Sequence, residues 1–469
     1  MNSKVKHAIL VVIFTIHFLV SQMLAGGIRV FPPPGAGIDP VAKYGYTMTV
    51  ILYTIRILVL GTVPLSICNF LGLLFWNAFP DKPTLKSSPM LAPFVCFRVV
   101  TRGLFPDLVK KNVERNHKIC SEVGLENYIF EVVTDRQIDI PKQNHVREIL
   151  VPMTYKTKKG SMYKARALQY CLEDGVNYIS DEDWIVHLDE ETLLTRDSVI
   201  GILNFVNEGT HQFGQGVITY ANEDIVAWIP TLGDLVRVGI DYGQNRFMFN
   251  YFHRPYVGLK GSYVVVNAGV ERKITFDFGP EGSIAEDCFF AMKGIEDGYS
   301  FGWIDGDMWE KSPFSFYDWL KQRSRWVQGI VRVFVSGQIP RRQKWGLLFI
   351  IVGWALFPLS TVNGIFTALT PIPTPQWLDF LLGLNSVYIF LYIFGSLKSF
   401  SYARLGYFRY ICLLLSPLLL IPFFVIIENI AVIMAAVTNQ GSFHIVEKDV
   451  SKSMKKPENV KISNNVNVV

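Results

Sequence analysis

Apolar residues are distributed unevenly along this chain. They form long unbroken runs at both ends and strand-length runs in between. Residues 8–24 and 46–75 are each long enough to cross a bilayer. Runs at 345–369, 377–397 and 410–437 repeat that pattern near the C-terminus, the last one interrupted by Pro417, Pro422 and Glu428. In the middle the runs shorten and alternate with mixed segments. Residues 94–100, 128–134, 145–151 and the run opening at Trp184 predict strands, while 106–120, 162–173 and 198–207 predict helices. Further strands are predicted at 215–219 and 263–267, separated by an aromatic-rich stretch at 247–256. Residues 283–287 open a predicted helix over 288–296. Alternating strands and helices predict a parallel, three-layer α/β sheet. Residues 314–334 mix Trp319 and Trp326 with Arg323, Arg325 and Arg332, a pattern for a helix lying in a membrane interface.

Composition agrees with this division. The chain has 469 residues, half of them hydrophobic, and a mean hydropathy of +0.26. That is too apolar for an ordinary soluble protein. The expected layout is two N-terminal spans in 1–80, joined by the Pro/Gly-rich loop at 31–40, and one α/β domain in 81–342. A C-terminal membrane region follows in 343–440, then a polar tail in 441–469. Lys4 and Lys6 precede the first run and place the N-terminus in the cytosol, so two spans return the middle domain to the same side. A cleaved leader is the rival reading of 8–24. Lys398, Arg404 and Arg409 place the loop before the last run in the cytosol, and Lys448, Lys452, Lys455 and Lys456 place the tail there too. One continuous span cannot satisfy both, whereas a proline-broken hairpin could. The net charge of +5 is modest and spread out, which argues against nucleic acid as a partner. Six scattered cysteines include no C-x-x-C pair, so they read as free thiols rather than zinc ligands.

The chemistry centres on Trp184–Thr192, where a buried-strand run ends in Asp189, Glu190 and Glu191. Ligands of open α/β sheets bind beyond the carboxyl ends of strands. Asp189 and Glu191 repel unless a cation joins them, and a hard divalent ion on a substrate diphosphate would do so. An acidic loop capping the helix near Asp197 is the bland alternative. His187, inside the strand, reads as core rather than ligand. Other features follow a fixed order: Asp135 after a strand, Lys164 to Leu168 on a helix, Ala285-Glu286-Asp287 at a helix start, and Gln322-Arg323-x-Arg325-Trp326.

This ordered set resembles the family 2 glycosyltransferases, the inverting nucleotide-sugar enzymes that include cellulose, hyaluronan and ceramide-glucoside synthases. The resemblance covers residues 94–334. Residues 98–106, 185–192 and 309–316 narrow it to the invertebrate β-1,4-mannosyltransferases of glycosphingolipid synthesis. It implies a GT-A-like nucleotide-sugar-binding domain with flanking transmembrane helices, in a multi-pass protein of the endoplasmic reticulum or Golgi. It also implies GDP-mannose as donor, glucosylceramide in the lipid bilayer as acceptor, and a divalent metal, Mg2+ or Mn2+. Asp189 and Glu191 would hold the metal; Asp135, Lys164 and Asp189 would bind the donor. Asp287 would be the catalytic base, supported by Glu286, with a helix cap as the alternative role. Gln322, Arg323, Arg325 and Trp326 would face the acceptor and diphosphate. Glu191 replaces the family's usual aspartate and Ala285 its usual threonine; both acids of each motif remain. Rival functions are a processive polysaccharide synthase, a ceramide glucosyltransferase-like enzyme using a UDP-sugar, and a membrane scaffold or transporter. The small C-terminal bundle weighs against the first. Transporters place ionisable groups inside their spans, and Glu428 is the one good candidate here.

Overall fold

The computed structural model describes residues 2–141 and 144–438, so the polar tail at 441–469 and its lysines lie outside the described residues. Among the described residues seven strands form one sheet: β1 (Val95–Thr101), β2 (Tyr128–Thr134), β3 (Val146–Leu150), β4 (Trp184–Asp189), β5 (Phe213–Thr219), β6 (Val264–Asn267) and β7 (Phe301–Trp309), in the order β3-β2-β1-β4-β6-β5-β7. The helices used below are α1 (Ser3–Ala25), α2 (Tyr46–Phe75), α3 (Pro106–Val123), α4 (Tyr163–Tyr170), α5 (Arg196–Glu208) and α6 (Trp228–Ile240). They continue with α7 (Ala268–Ile274), α8 (Glu286–Glu296), α9 (Phe316–Val335), α10 (Trp345–Leu369), α11 (Gln376–Ser399) and α12 (Tyr407–Val437).

Side chains alternate across each strand, so β1 serves two cores. Val95, Phe97 and Val99 pack with Val109 and Val113 of α3 and Leu203 of α5. On the opposite face Cys96 and Ile185 pack with Phe289 and Phe290 of α8. This gives the expected three layers, but the sheet is mixed rather than wholly parallel. β6 runs antiparallel to both β4 and β5. The reason is the connection: after β5 the helical residues 228–252 carry the chain to the amino edge, where His253 O accepts from Phe301 N at the start of β7. Residues 254–262 then return to the carboxyl edge, where Ser262 meets Asp189, so β6 starts from that edge and runs antiparallel to its neighbours.

Among the described residues five helices are long and apolar enough to cross a membrane: α1, α2, α10, α11 and α12. Arg29 donates to Thr374 O at 2.8 Å and Tyr53 to Pro373 O at 2.7 Å, joining the 26–44 loop and α2 to the turn after α10. At the other end Asn77 donates to Ser3 Oγ, and Arg404 donates to the carbonyls of Ala221 and Asn222 beside the sheet. α12 is one continuous helix through Pro417 and Pro422, not a hairpin. Proline removes a single amide donor at each position, and tight packing of Phe424 and Ile427 holds the helix through both. α9 is packed into this assembly: Trp319 is fully buried, with Nε1 donating to Asp234 Oδ1 of α6 at 3.1 Å.

Candidate active site

The carboxyl ends of the parallel strands converge on one cavity of about 860 Å³, lined by Thr101, Asp135, Asp189, Tyr220 and Glu310 among others. The turn after β4 is tied down from below. Asn112 Nδ2 of α3 donates to Glu190 O at 2.9 Å, and Asn116 Nδ2 to Thr192 O at 3.0 Å. Thr101 Oγ1 donates to the Glu190 carboxylate, so this acid is engaged away from the Asp189–Glu191 pair. A relay fixes the far side. Asp189 N–H donates to Ser262 Oγ at 3.2 Å, Ser262 and Thr192 hydroxyls lie 2.7 Å apart, and Thr192 donates to Glu310 Oε1 at 2.6 Å. A hydroxyl has one proton, so with Thr192 donating to Glu310, Ser262 donates to Thr192.

Lys164 of α4 reaches Asp189 Oδ1 at 2.5 Å and Gly261 O at 2.7 Å, and stands 3.9 Å from Glu286. Burial alone would favour loss of its proton, but Asp189 and Glu286 outweigh this and hold its pKa well above the ordinary range. Glu286 and Asp287 form the first turn of α8, whose N-cap, Ala285, supplies no side-chain cap. Asp287 Oδ1 accepts from Cys288 N at 2.7 Å. Burial, then the neighbouring Asp287 charge, pushes Glu286 up to about 8, against Lys164. Burial also raises Asp287, opposed by the Cys288 amide. Gly261 keeps this space open: a Cβ there would sit 3.2 Å from Asp287 Oδ2.

Asp135, Lys164, Asp189, Glu191, Glu286, Asp287, Gln322, Arg323, Arg325 and Trp326 all line this cavity. Their local partners differ. Asp135 is paired with Arg166. Burial lowers the Arg325 pKa against the pull of Glu286, Asp189 and Asp287, which puts this guanidinium in the field of the acids. Arg323 instead turns toward the helices, bonding Asp234 Oδ1 at 2.6 Å and standing 3.1 Å from Glu428 Oε1. Trp326 is crowded by the guanidinium groups of Arg237 and Arg323, at 4.5 and 4.7 Å from its ring centre. His187 lies in the interior, with Nε2 2.6 Å from Glu271 Oε2.

Sequence reasoning missed Glu310, Lys260 and Arg237. Glu310 follows β7 directly, and burial, then Glu191 and Asp189, pushes it up to about 7. It is thus a third acid facing the pair. The only signal was its place in the 309–316 stretch. Lys260 pairs with Asp241 at the cavity wall, and burial lowers its pKa. Nothing in their spacing along the chain predicted either meeting.

The profile described as "Glycosyl transferase family group 2" matches residues 184–437. Beta-1,4-mannosyltransferase egh of Drosophila melanogaster is 50% identical over 451 residues, 96% of this chain and 99% of its own length. Beta-1,4-mannosyltransferase bre-3 of Caenorhabditis elegans is 49% identical over 455 residues, again 96% of this chain and 99% of its own. The solved S. aureus TarS 1–349 is similar with a TM-score of 0.32 at 13% identity, over 76% of this chain and 94% of that one.

Proposed function

We propose that this chain, which belongs to the family 2 glycosyltransferases, is a β-1,4-mannosyltransferase moving mannose from GDP-mannose to the glucose of glucosylceramide. Its fold is GT-A-like, with apolar helices on both flanks. One observation carries the reading: the acids at the strand ends open into the same cavity as side chains of the membrane-type helices, including Phe357 of α10 and Val425 of α12. A water-soluble donor and a lipid acceptor can meet there. The names of the two relatives, each matched over nearly its whole length, support mannosyl transfer.

Asp287 is the base. It takes the proton of the acceptor hydroxyl as that oxygen attacks the anomeric carbon. The bond from that carbon to the diphosphate breaks on the opposite side, giving inversion and free GDP. Arg325, within reach of the acids' field, forks onto phosphate oxygens as charge develops on them. Asp135 and Lys164 hold the donor side, with Glu286 supporting Asp287 and Gln322 facing the acceptor.

Among the described residues no group of three or more His, Cys, Asp and Glu is arranged to hold a metal. Two carboxylates, Asp189 and Glu191, suit an ion that completes its shell with substrate phosphates and water. Mg2+ or Mn2+ held there would neutralise the departing diphosphate.

The domain faces the cytosol of an endoplasmic reticulum or Golgi membrane in this reading, since Lys4 and Lys6 precede two spans. A tag inserted near Lys158 is then cleaved by protease added outside sealed microsomes; full protection overturns the orientation. The activity itself is tested with purified protein in detergent, offered a panel of nucleotide sugars with glucosylceramide. A product heavier by one hexose with GDP-mannose alone supports it. A product with a UDP-sugar instead, or a polymer ladder, overturns it.

A further inference from the structure

The cavity does not end at the acids. It continues past α9 between the membrane-type helices as a largely apolar limb. α10 turns Ile350, Gly353, Phe357 and Thr361 to it, a three- and four-residue spacing that keeps one helix face on the limb. α12 turns Val425, Glu428 and Val432 to it from the other side. From Ile350 to Thr361 the helix rises about 16 Å at ~1.5 Å per residue. That is close to half of the ~30 Å hydrocarbon thickness of a bilayer, which is one leaflet.

Two further features define the limb. Its junction with the acid chamber is ionic: Arg323 bridges Asp234 and Glu428, beside Gln322 and Trp326. Its outer wall is loosely held. α10 buries only Gly346 and Leu347, both in its first turn. Beside Glu428, Asn429 Nδ2 of α12 donates to Thr361 Oγ1 at 2.9 Å, joining the two helices at the level of that ionic junction, from which the slot runs along α10 toward Ile350. A polar junction followed by an apolar slot of leaflet length matches an amphiphile with a sugar head and a hydrocarbon tail.

We propose that this limb, between α10 and α12, binds one hydrocarbon chain of the lipid acceptor. The chain enters sideways from a single leaflet, and the Arg323–Glu428 pair marks where the tail ends and the sugar head begins. The inference rests on the glycolipid-acceptor reading above. It adds a tail-recognition site, so acceptor preference depends on chain length as well as on the sugar.

Gly353 allows the test. A Cβ there meets only Leu65 Cδ1, at 3.6 Å, so alanine fits and a larger side chain must grow into free space. The full-length protein is compared as wild type, Gly353→Ala and Gly353→Trp, with GDP-mannose as donor. The acceptors are long-chain glucosylceramide in lipid nanodiscs and methyl β-glucoside, which has no tail. Gly353→Trp should lose on the order of tenfold or more in kcat/KM on the long-chain acceptor, the value of roughly two excluded methylenes. Its rate on methyl β-glucoside and its GDP affinity should match wild type, as should both rates of Gly353→Ala. Equal loss on both acceptors at normal GDP affinity overturns the limb, and so does no loss on either. If Gly353→Trp no longer binds GDP, Val432→Trp on the opposite wall replaces it under the same criteria. A wild-type protein that transfers mannose to neither acceptor sinks the underlying activity instead, an outcome distinct from every variant result.

Discussion

Two groups of acids lie in the interior of this molecule, and burial acts on them with opposite results. Glu131 and Glu271 sit below the sheet around Arg98, whose side chain is completely enclosed. Arg98 Nε is 2.8 Å from Glu131 and its Nη1 2.5 Å from Glu271; Arg147 and His187 add a second partner to each acid. Glu286, Asp287 and Glu310 line the cavity above the strand ends. For all five, burial is the largest influence and favours the neutral acid. Below the sheet the partner cations outweigh it, so both pKa values fall under the ordinary carboxylate range. In the cavity burial prevails: neighbouring acids add to it at Glu286 and Glu310, the Cys288 amide and Lys164 only partly oppose it at Asp287, and all three pKa values rise. A set neutralised from within serves the fold. A set that gathers negative charge around open space is arranged for a cationic or hydrogen-bonding visitor.

The sharpest way to break this comparison is to remove cavity acids and ask whether the fold notices. Asp189→Ala and Glu191→Ala should each abolish transfer, as should excess EDTA on the wild type, while Tm stays within a few degrees. Undiminished turnover in EDTA removes the metal from the assignment. Asp287→Asn should cost on the order of a hundred- to ten-thousand-fold in rate. It preserves shape and the local hydrogen bond, so GDP affinity should remain near normal. A helix-terminal role predicts something else, since Asn suits a helix start as well as Asp. A variant keeping more than roughly a tenth of wild-type turnover would return Asp287 to a structural role.

The mirror experiment removes a cation from below the sheet. Arg98→Leu leaves Glu131 and Glu271 buried with half their partners, a loss of about 3–5 kcal/mol of stability. Whatever fraction remains folded should transfer mannose at a normal rate. Measuring Tm and activity per folded molecule separates the two. A rate defect in folded Arg98→Leu would show that the networks are coupled and that the division drawn above is too clean.

The legibility of these regions in the sequence follows from the same physics. β2 was readable to its ends because Tyr128–Thr134 is a nearly unbroken β-prone run. β7 was missed because Phe301–Trp309 carries Gly302, Asp305, Gly306 and Asp307 in place of such a run. Asp307 accepts from Thr219 Oγ1 and Trp309 Nε1, partners that only the folded sheet supplies. The helical segment from Trp228 to Phe252 was also missed, in part because Gly239 and Gly243 read as breakers. Both are needed for close approach: a Cβ on Gly239 would come 2.6 Å from Leu391 O of α11, and one on Gly243 2.6 Å from Asn69 Oδ1 of α2. The site acids were legible because motif order carried them. Glu310 was not, since its meeting with Thr192 spans 118 positions and no local pattern encodes it. The Arg98 network was illegible for the same reason, as its members come from β1, β2, β3, β4 and α7.

The smallest expected effect, and the most direct reading of the contrast, is the pH dependence of stability without ligand. Glu131 and Glu271 have depressed pKa values when folded. Their contribution is present above the unfolded glutamate value, about 4.3, and is lost as pH falls below it. Glu286 and Glu310 behave oppositely, with folded values raised to about 8 and about 7. The folded state binds their protons more tightly, so no penalty exists below about pH 4. The penalty grows as pH rises through the window from there to 7 or 8. Each such group contributes a slope of up to about 1.4 kcal/mol per pH unit inside its window. Tm of the ligand-free protein should therefore fall between pH 5 and pH 8, and fall again below about pH 4. Glu310→Gln cannot ionise, so its Tm should decline less between pH 5 and 7 than that of wild type. The acid limb below pH 4 should be unchanged in this variant, because Glu131 and Glu271 are untouched. A wild-type Tm that rises steadily from pH 5 to 8 would mean the cavity acids are as well neutralised as those below the sheet. The contrast between the two regions would then have no energetic content.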